Sequence, residues 1–152
     1  MKEDMPTIKN VLTAATFETF ERMFYIFLEP IEQIEDCDVG AAVQFNGHLN
    51  GQLKIIFSRK LPAAMVKNLL SCEEHEVTEK QVEDCIKEAA NVICGNFLTR
   101  LDNRKTFDLS LPVFYGGSAQ MPAATSAQNS ICRLHFDSEF GTLGVLMTLS
   151  DR

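Results

Sequence analysis

From Thr78 to Leu101, Val82, Ile86, Ala89, Ile93 and Phe97 recur at a spacing that about 100° per residue gathers onto one stripe of a helix. Asp84, Glu88, Asn91 and Gly95 fall within a narrow strip on the opposite side. Thr78 and Gln81 form a T-x-x-Q capping box, which marks where this helix starts. A second long helix is predicted over Thr7 to Leu28, with Ile8, Leu12, Ala15, Met23 and Phe27 at helical spacing, Pro6 just before it and Pro30 ending it. Leu61 to Leu70 reads as a shorter helix that buries Leu61, Met65, Val66 and Leu69.

Alternation takes over elsewhere. Val39 to Phe45 and Gln52 to Phe57 read as strands of a hairpin, joined through the polar stretch Asn46 to Gly51. Thr106 to Leu111 reads as a strand broken by Pro112, followed by a loop with Gly116, Gly117 and Pro122. Ser130 to Phe136 and Leu143 to Leu149 form a second hairpin around Asp137 to Gly141. The order is helix, hairpin, short helix, then helix, strand, hairpin. That order suggests a duplication with an offset of about 70 residues, with halves near 6–76 and 77–152 inside one domain. The fold class is α+β, with two long helices on an antiparallel sheet built from hairpins. Under the offset, Ala14, Glu18, Glu21 and Tyr25 occupy the places of Asp84, Glu88, Asn91 and Gly95.

Composition narrows the function. The 152 residues carry a net charge of −7, which argues against a nucleic-acid partner. No apolar run approaches the roughly 20 residues of a membrane span, and the N-terminus has no apolar signal segment. Cys37, Cys72, Cys85, Cys94 and Cys132 are an odd set with no CxxC spacing, read as reduced residues of a cytoplasmic protein. His48, His75 and His135 are scattered without ligand spacing, and His135 is expected to face solvent, so no metal site is expected on this chain. Ser118, Ser126 and Ser130 have no nucleophile-elbow context.

The strip on the central helix holds no nucleophile, but it can position things. Side chains three and four apart on a helix lie roughly 5–6 Å apart at Cβ, so Glu88 and Asn91 stand side by side. An amide holds a water by donating and accepting at once, and a carboxylate can lock onto a partner's Lys or Arg. Gly95 costs a helix interior about 1 kcal/mol against Ala, and its benefit is bare backbone that another body can approach. Such a set suits phosphoryl hydrolysis, where orientation does most of the work and cations can be supplied elsewhere.

The segment Asp84 to Gly95 resembles the [DS]xxxExxN signature of the CheC/CheX/FliY phosphatases of bacterial chemotaxis, with the small residue four after the Asn. Ser110 to Gly117, with its proline some twenty residues past the Asn, resembles a strand of the same family. The resemblance implies a CheC-like fold and an enzyme that dephosphorylates the aspartyl phosphate of a CheY-like response regulator. It implies that Glu88 anchors to the receiver's active-site lysine and Asn91 orients the attacking water. Asp84 and Gly95 would meet the partner, and Mg2+ would be held by the receiver, with no cofactor on this chain. In the first helix Glu21 stands where an Asn is needed, so that half is expected to be silent. One motif per chain resembles CheX more than CheC and implies a homodimer whose sheet continues between subunits. A non-catalytic module that merely binds a receiver is the alternative.

Overall fold

The structure is a computed structural model that describes residues 5–34, 36–58, 60–104, 106–116 and 132–150. The expected loop with Gly117 and Pro122, the serines at 118, 126 and 130, and the first two residues of the strand expected from Ser130 lie outside these residues.

Helix α1 spans Met5–Thr19 and widens into a π-helical turn at Phe20–Phe24. Strand β1 (Glu29–Pro30) and the hairpin β2 (Val39–Asn46) and β3 (Asn50–Phe57) follow. Next come α2 (Leu61–Leu70), a 3-10 turn at Glu74–Glu76 and α3 (Glu79–Leu101). Strands β4 (Asp108–Leu109), β5 (Val113–Tyr115), β6 (Cys132–Ser138) and β7 (Gly141–Ser150) complete the order. The described strands form one antiparallel sheet in the order β1-β6-β7-β3-β2-β4, and β5 pairs with β2 beyond β4.

The sheet is symmetric about its central β7–β3 pair. Each hairpin is flanked by an edge strand from the opposite half: β1 pairs with β6, while β4 and β5 pair with β2. Register places Val43, Leu53, Met147 and Cys132 in one cross-strand row, and Ala41, Ile55, Val145 and Leu134 in the next. All eight are buried on the helix-bearing face. There α3 packs over β2 and β3, α1 packs over β6, and the two long helices pack against each other.

The first helix ends earlier than the expected Leu28. Tyr25 adopts a left-handed conformation (φ 55°), and its N–H and that of Ile26 both donate to the Phe20 carbonyl. From there the chain buries by alternation: Phe24, Ile26 and Leu28 point in, Tyr25 and Phe27 out. The Asn68 amide of α2 donates to the Phe24 carbonyl at 2.8 Å, so the end is held by a distant residue. Pro30 does not stop the helix; it lies in the edge strand β1, opposite Phe136, a position open to a residue without an N–H.

The strand expected over Thr106 to Leu111 is only two residues long. Ser110 extends the contact through its own N–H to the Gln44 carbonyl and its hydroxyl, which accepts from the Gln44 N–H. Leu111 then turns outward, 87% exposed, before Pro112. His135 is half-buried rather than solvent-facing, because residues 31–34 cross that face of the sheet and Nδ1 donates to the Glu32 carbonyl at 2.9 Å. No helix among the described residues is long and apolar enough to cross a membrane.

Candidate functional site

Helix α3 starts where its capping box places it. The Thr78 hydroxyl accepts from the Gln81 N–H at 3.1 Å, and the Gln81 side chain accepts from the Thr78 N–H at 2.9 Å. With its start fixed, the 3.6-residue period decides what faces in. Ile86, Ala89, Ile93 and Phe97 are fully buried, joined by Cys85, Ala90, Cys94 and Leu98, while Val82 is half-buried at the margin. Asp84 and Glu88 are exposed and Asn91 and Gly95 are half-exposed, so one outward strip carries all four residues.

The charges along this strip are unequal. Lys80 Nζ donates to Asp84 at 2.7 Å, and Lys87 lies 3.3 Å from Glu83, each pair one turn apart. The hydrogen bond to Lys80 holds the Asp84 carboxyl below its ordinary pKa, and the same bond raises that of Lys80. Glu88 has no such lysine: four residues before it stands Asp84 and four after it Val92. Among the described residues no side-chain hydrogen bond or ion pair holds Glu88 or Asn91. Their carboxylate and amide are thus both accessible and uncommitted within the chain.

Gly95 is informative for a different reason. A Cβ built on it meets nothing within 4 Å. Its backbone is helical, so neither a positive φ nor an internal close contact explains a residue that costs the helix about 1 kcal/mol. Nothing in the packing of the described residues requires a glycine at this position.

Two shallow concavities bracket the strip. One, of about 280 Å³, is lined by Gly95, Thr99, Asn103 and Phe107 among others. The second, of about 300 Å³, lies between α2 and α3 and is walled by Val66, Leu69, Leu70, Asp84, Cys85 and Glu88. Leu69, expected on the buried side of α2, is 40% exposed, and Leu70 is 50% exposed. The helical stripe overshoots the core in its last turn, since α2 is only ten residues long and Ser71 ends it in a left-handed conformation.

Of the five cysteines, Cys85, Cys94 and Cys132 are buried in the core. None of the five is in a disulfide. Burial, followed by the charge of Glu88, pushes the Cys85 thiol up to about 12, and burial alone takes Cys94 there. Neither is a thiolate nucleophile at neutral pH. No group of three or more His, Cys, Asp or Glu among the described residues is placed to hold a metal ion.

The first-helix positions that the offset sets against this strip do not share one free face. Glu18 is engaged by Arg100 of α3 and lies 3.8 Å from Arg22. Glu21 sits in the π-helical turn, out of register with the α-helical face before it, and Tyr25 is past the helix end, 70% exposed. Arg100 also donates to Asn96 at 2.7 Å, so the contact ties the C-terminal half of α3 to α1.

Comparison with known proteins bears on the fold and the family. The fold matches the chemotaxis protein CheX of Vibrio vulnificus with a TM-score of 0.81 at 21% identity, covering 98% of this chain and 100% of that one. CheX of Desulfovibrio desulfuricans matches with a TM-score of 0.75 at 22% identity, covering 95% and 99%. A CheX solved in complex with CheY, beryllofluoride and Mg2+ from Borrelia burgdorferi matches with a TM-score of 0.72 at 19% identity, covering 93% and 97%. A search of curated proteins finds no match. The family model of the chemotaxis phosphatase CheX matches residues 39–136, which include the β2–β3 hairpin, the whole of α3 and β6 as far as Phe136. By fold, by motif and by that match over more than half of its length, the chain belongs to the CheX family of chemotaxis phosphatases.

Proposed function

We propose that this chain hydrolyses the aspartyl phosphate of a CheY-type response regulator, with Glu88 and Asn91 working from the exposed face of α3. The observation that carries the reading is the combination of an uncommitted carboxylate and amide with a helical glycine that has open space above it. The Borrelia burgdorferi relative, solved with CheY and a beryllofluoride–Mg2+ pair, supports the choice of partner.

Glu88 docks onto a lysine of the receiver, forming a charge-assisted hydrogen bond of the stronger kind. Asn91 then accepts a hydrogen bond from a water through Oδ1 and aims its lone pair at phosphorus, opposite the aspartyl oxygen. The P–O bond to water forms as the bond to the aspartyl oxygen breaks. The aspartyl oxygen keeps the electron pair, and a proton from the water leaves with the inorganic phosphate or passes to solvent. The receiver supplies Mg2+, which offsets charge on the phosphoryl oxygens. Gly95 lets the receiver's backbone close on the helix. Asp84, already paired with Lys80, adjusts the charge at the edge of the contact. The first helix contributes no second site, since Glu18 is held by Arg100. All the proposed groups lie on one helix, so one copy suffices for the chemistry; a homodimer is a separate expectation that sedimentation would test.

The roles separate in a Glu88→Ala variant. Removing one partner of a charge-assisted bond costs roughly 1.5–3 kcal/mol, so affinity for a beryllofluoride-loaded receiver is expected to fall about 10- to 100-fold. Titration calorimetry or fluorescence measures it. Unchanged binding and turnover in this variant would remove Glu88 from the proposal. A wild-type chain that binds the receiver without speeding phosphate loss would favour the scaffold alternative.

A further inference from the structure

We infer that the groove between α2 and α3 seats an aliphatic or aromatic side chain of the receiver, from the surface that flanks its phosphorylated aspartate. The inference rests on the proposed phosphatase reading, because it takes the body docked on Glu88 as the occupant.

Position carries the first part of the argument. Asp84 and Glu88 are walls of this groove as well as members of the catalytic strip. A domain that places a lysine on Glu88 therefore covers the groove too. Apart from Gln81, the remaining lining residues are apolar: Val66 and Cys85 are buried, and Leu69 and Leu70 stand exposed. Two large apolar side chains on the surface beside an uncommitted carboxylate fit an interface with an apolar centre and a polar edge.

Size decides between possible occupants. A space of about 300 Å³ takes one large side chain. Burying an aromatic side chain removes about 150–250 Å² from water. A stable interface buries about 800 Å² on each partner, so the groove takes one side chain of a body whose main hold lies elsewhere, as a receiver's does on Glu88. Charge points the same way. The chain carries a net −7, and another copy would bring a second Glu88 to a rim that already has one. A receiver approaching with a lysine meets complementary charge there.

The test uses the full chain with Leu69→Ser and Leu70→Ser together, its fold checked by circular dichroism and melting. Leu70→Gln alone, at a half-exposed position, serves if the double variant does not fold. The affinity for a beryllofluoride-loaded CheY-type receiver is expected to weaken about tenfold, from the apolar area lost. KM for the phosphorylated receiver should rise with it, while kcat at saturation changes less than twofold. Equal affinity and equal KM in variant and wild type would overturn the inference and leave the phosphatase reading intact. If the wild type binds the receiver but does not hydrolyse its phosphate, the phosphatase reading fails, and the affinity comparison still decides the groove. No binding by the wild type overturns both. A wild-type dimer that the substitutions convert to monomer, with receiver binding unchanged, would assign the groove to a second copy and overturn the inference.

Discussion

Asn91→Ala is expected to lower kcat about 100-fold while leaving the affinity for a beryllofluoride-loaded receiver within threefold of wild type. The reason lies in what each group contributes. Glu88 acts on the bound receiver whether or not the phosphoryl group is reacting, so it contributes to binding in both the ground and transition states. An amide that aims a water matters only while the water attacks, and losing such an interaction lowers kcat without raising KM. A misplacement of about 1 Å in a reacting group is enough to cost about 10²-fold. Folding is not at risk: Asn91 lies on the outer strip with no hydrogen bond to lose within the described residues, and Ala is the better helix former. Single-turnover release of phosphate, read beside a binding titration, checks both halves. Weakened binding with kcat intact would make Asn91 a docking residue and leave the water without a guide. Asn91→Asp extends the argument, since it approximates the carboxylate that Glu21 places in the first helix. Like charge facing the phosphoryl oxygens should silence it at least as thoroughly as Ala does.

At Gly95 stability and activity should move in opposite directions. Because a Cβ there meets nothing, Gly95→Ala removes a helix penalty of about 1 kcal/mol, and Tm should rise by about 2–4 °C. Gly95→Leu should give most of the same gain, as Leu is nearly as good a helix former. Turnover should fall stepwise. Ala leaves room for a slightly displaced receiver, whereas Leu keeps the receiver's backbone off the helix and shifts the water relative to phosphorus, with an expected loss in kcat/KM of about 100-fold. Thermal melts and steady-state hydrolysis of the same three proteins make the comparison. A variant series that is more stable and equally active would mean that nothing approaches Gly95 closely.

Legibility in the sequence followed the range of the forces involved. Helix α3 was readable because its determinants are local: a capping box at Thr78 and Gln81, a stripe at helical spacing, and charges one turn apart. The hairpins were readable for the same reason, since each pairs with its neighbour in sequence across a short turn. The end of α1 was not, because Met23 to Leu28 is apolar at nearly every position and fits helical and alternating burial alike. Tertiary contacts settle it, Asn68 on the Phe24 carbonyl above all. β1 has no local signature, because two residues with a proline carry no pattern and its pairing with β6 spans over a hundred residues. The outward strip Asp84, Glu88, Asn91 and Gly95 was legible as a set. Its internal ranking was not: the pairing of Asp84 with Lys80, the emptiness above Gly95 and the exposure of Leu69 needed the packed structure. The clamp of Arg100 on Glu18 joins residues 82 apart and has no local signature.

The lifetime of the phosphoaspartate on a CheY-type receiver, followed with this chain at about one hundredth of the receiver's concentration, tests the account most directly. Repeated turnover, with all receiver molecules dephosphorylated faster than they lose phosphate alone, is the expected result. A lifetime unchanged by the chain, or lengthened by it, would contradict hydrolysis from the Glu88–Asn91 face.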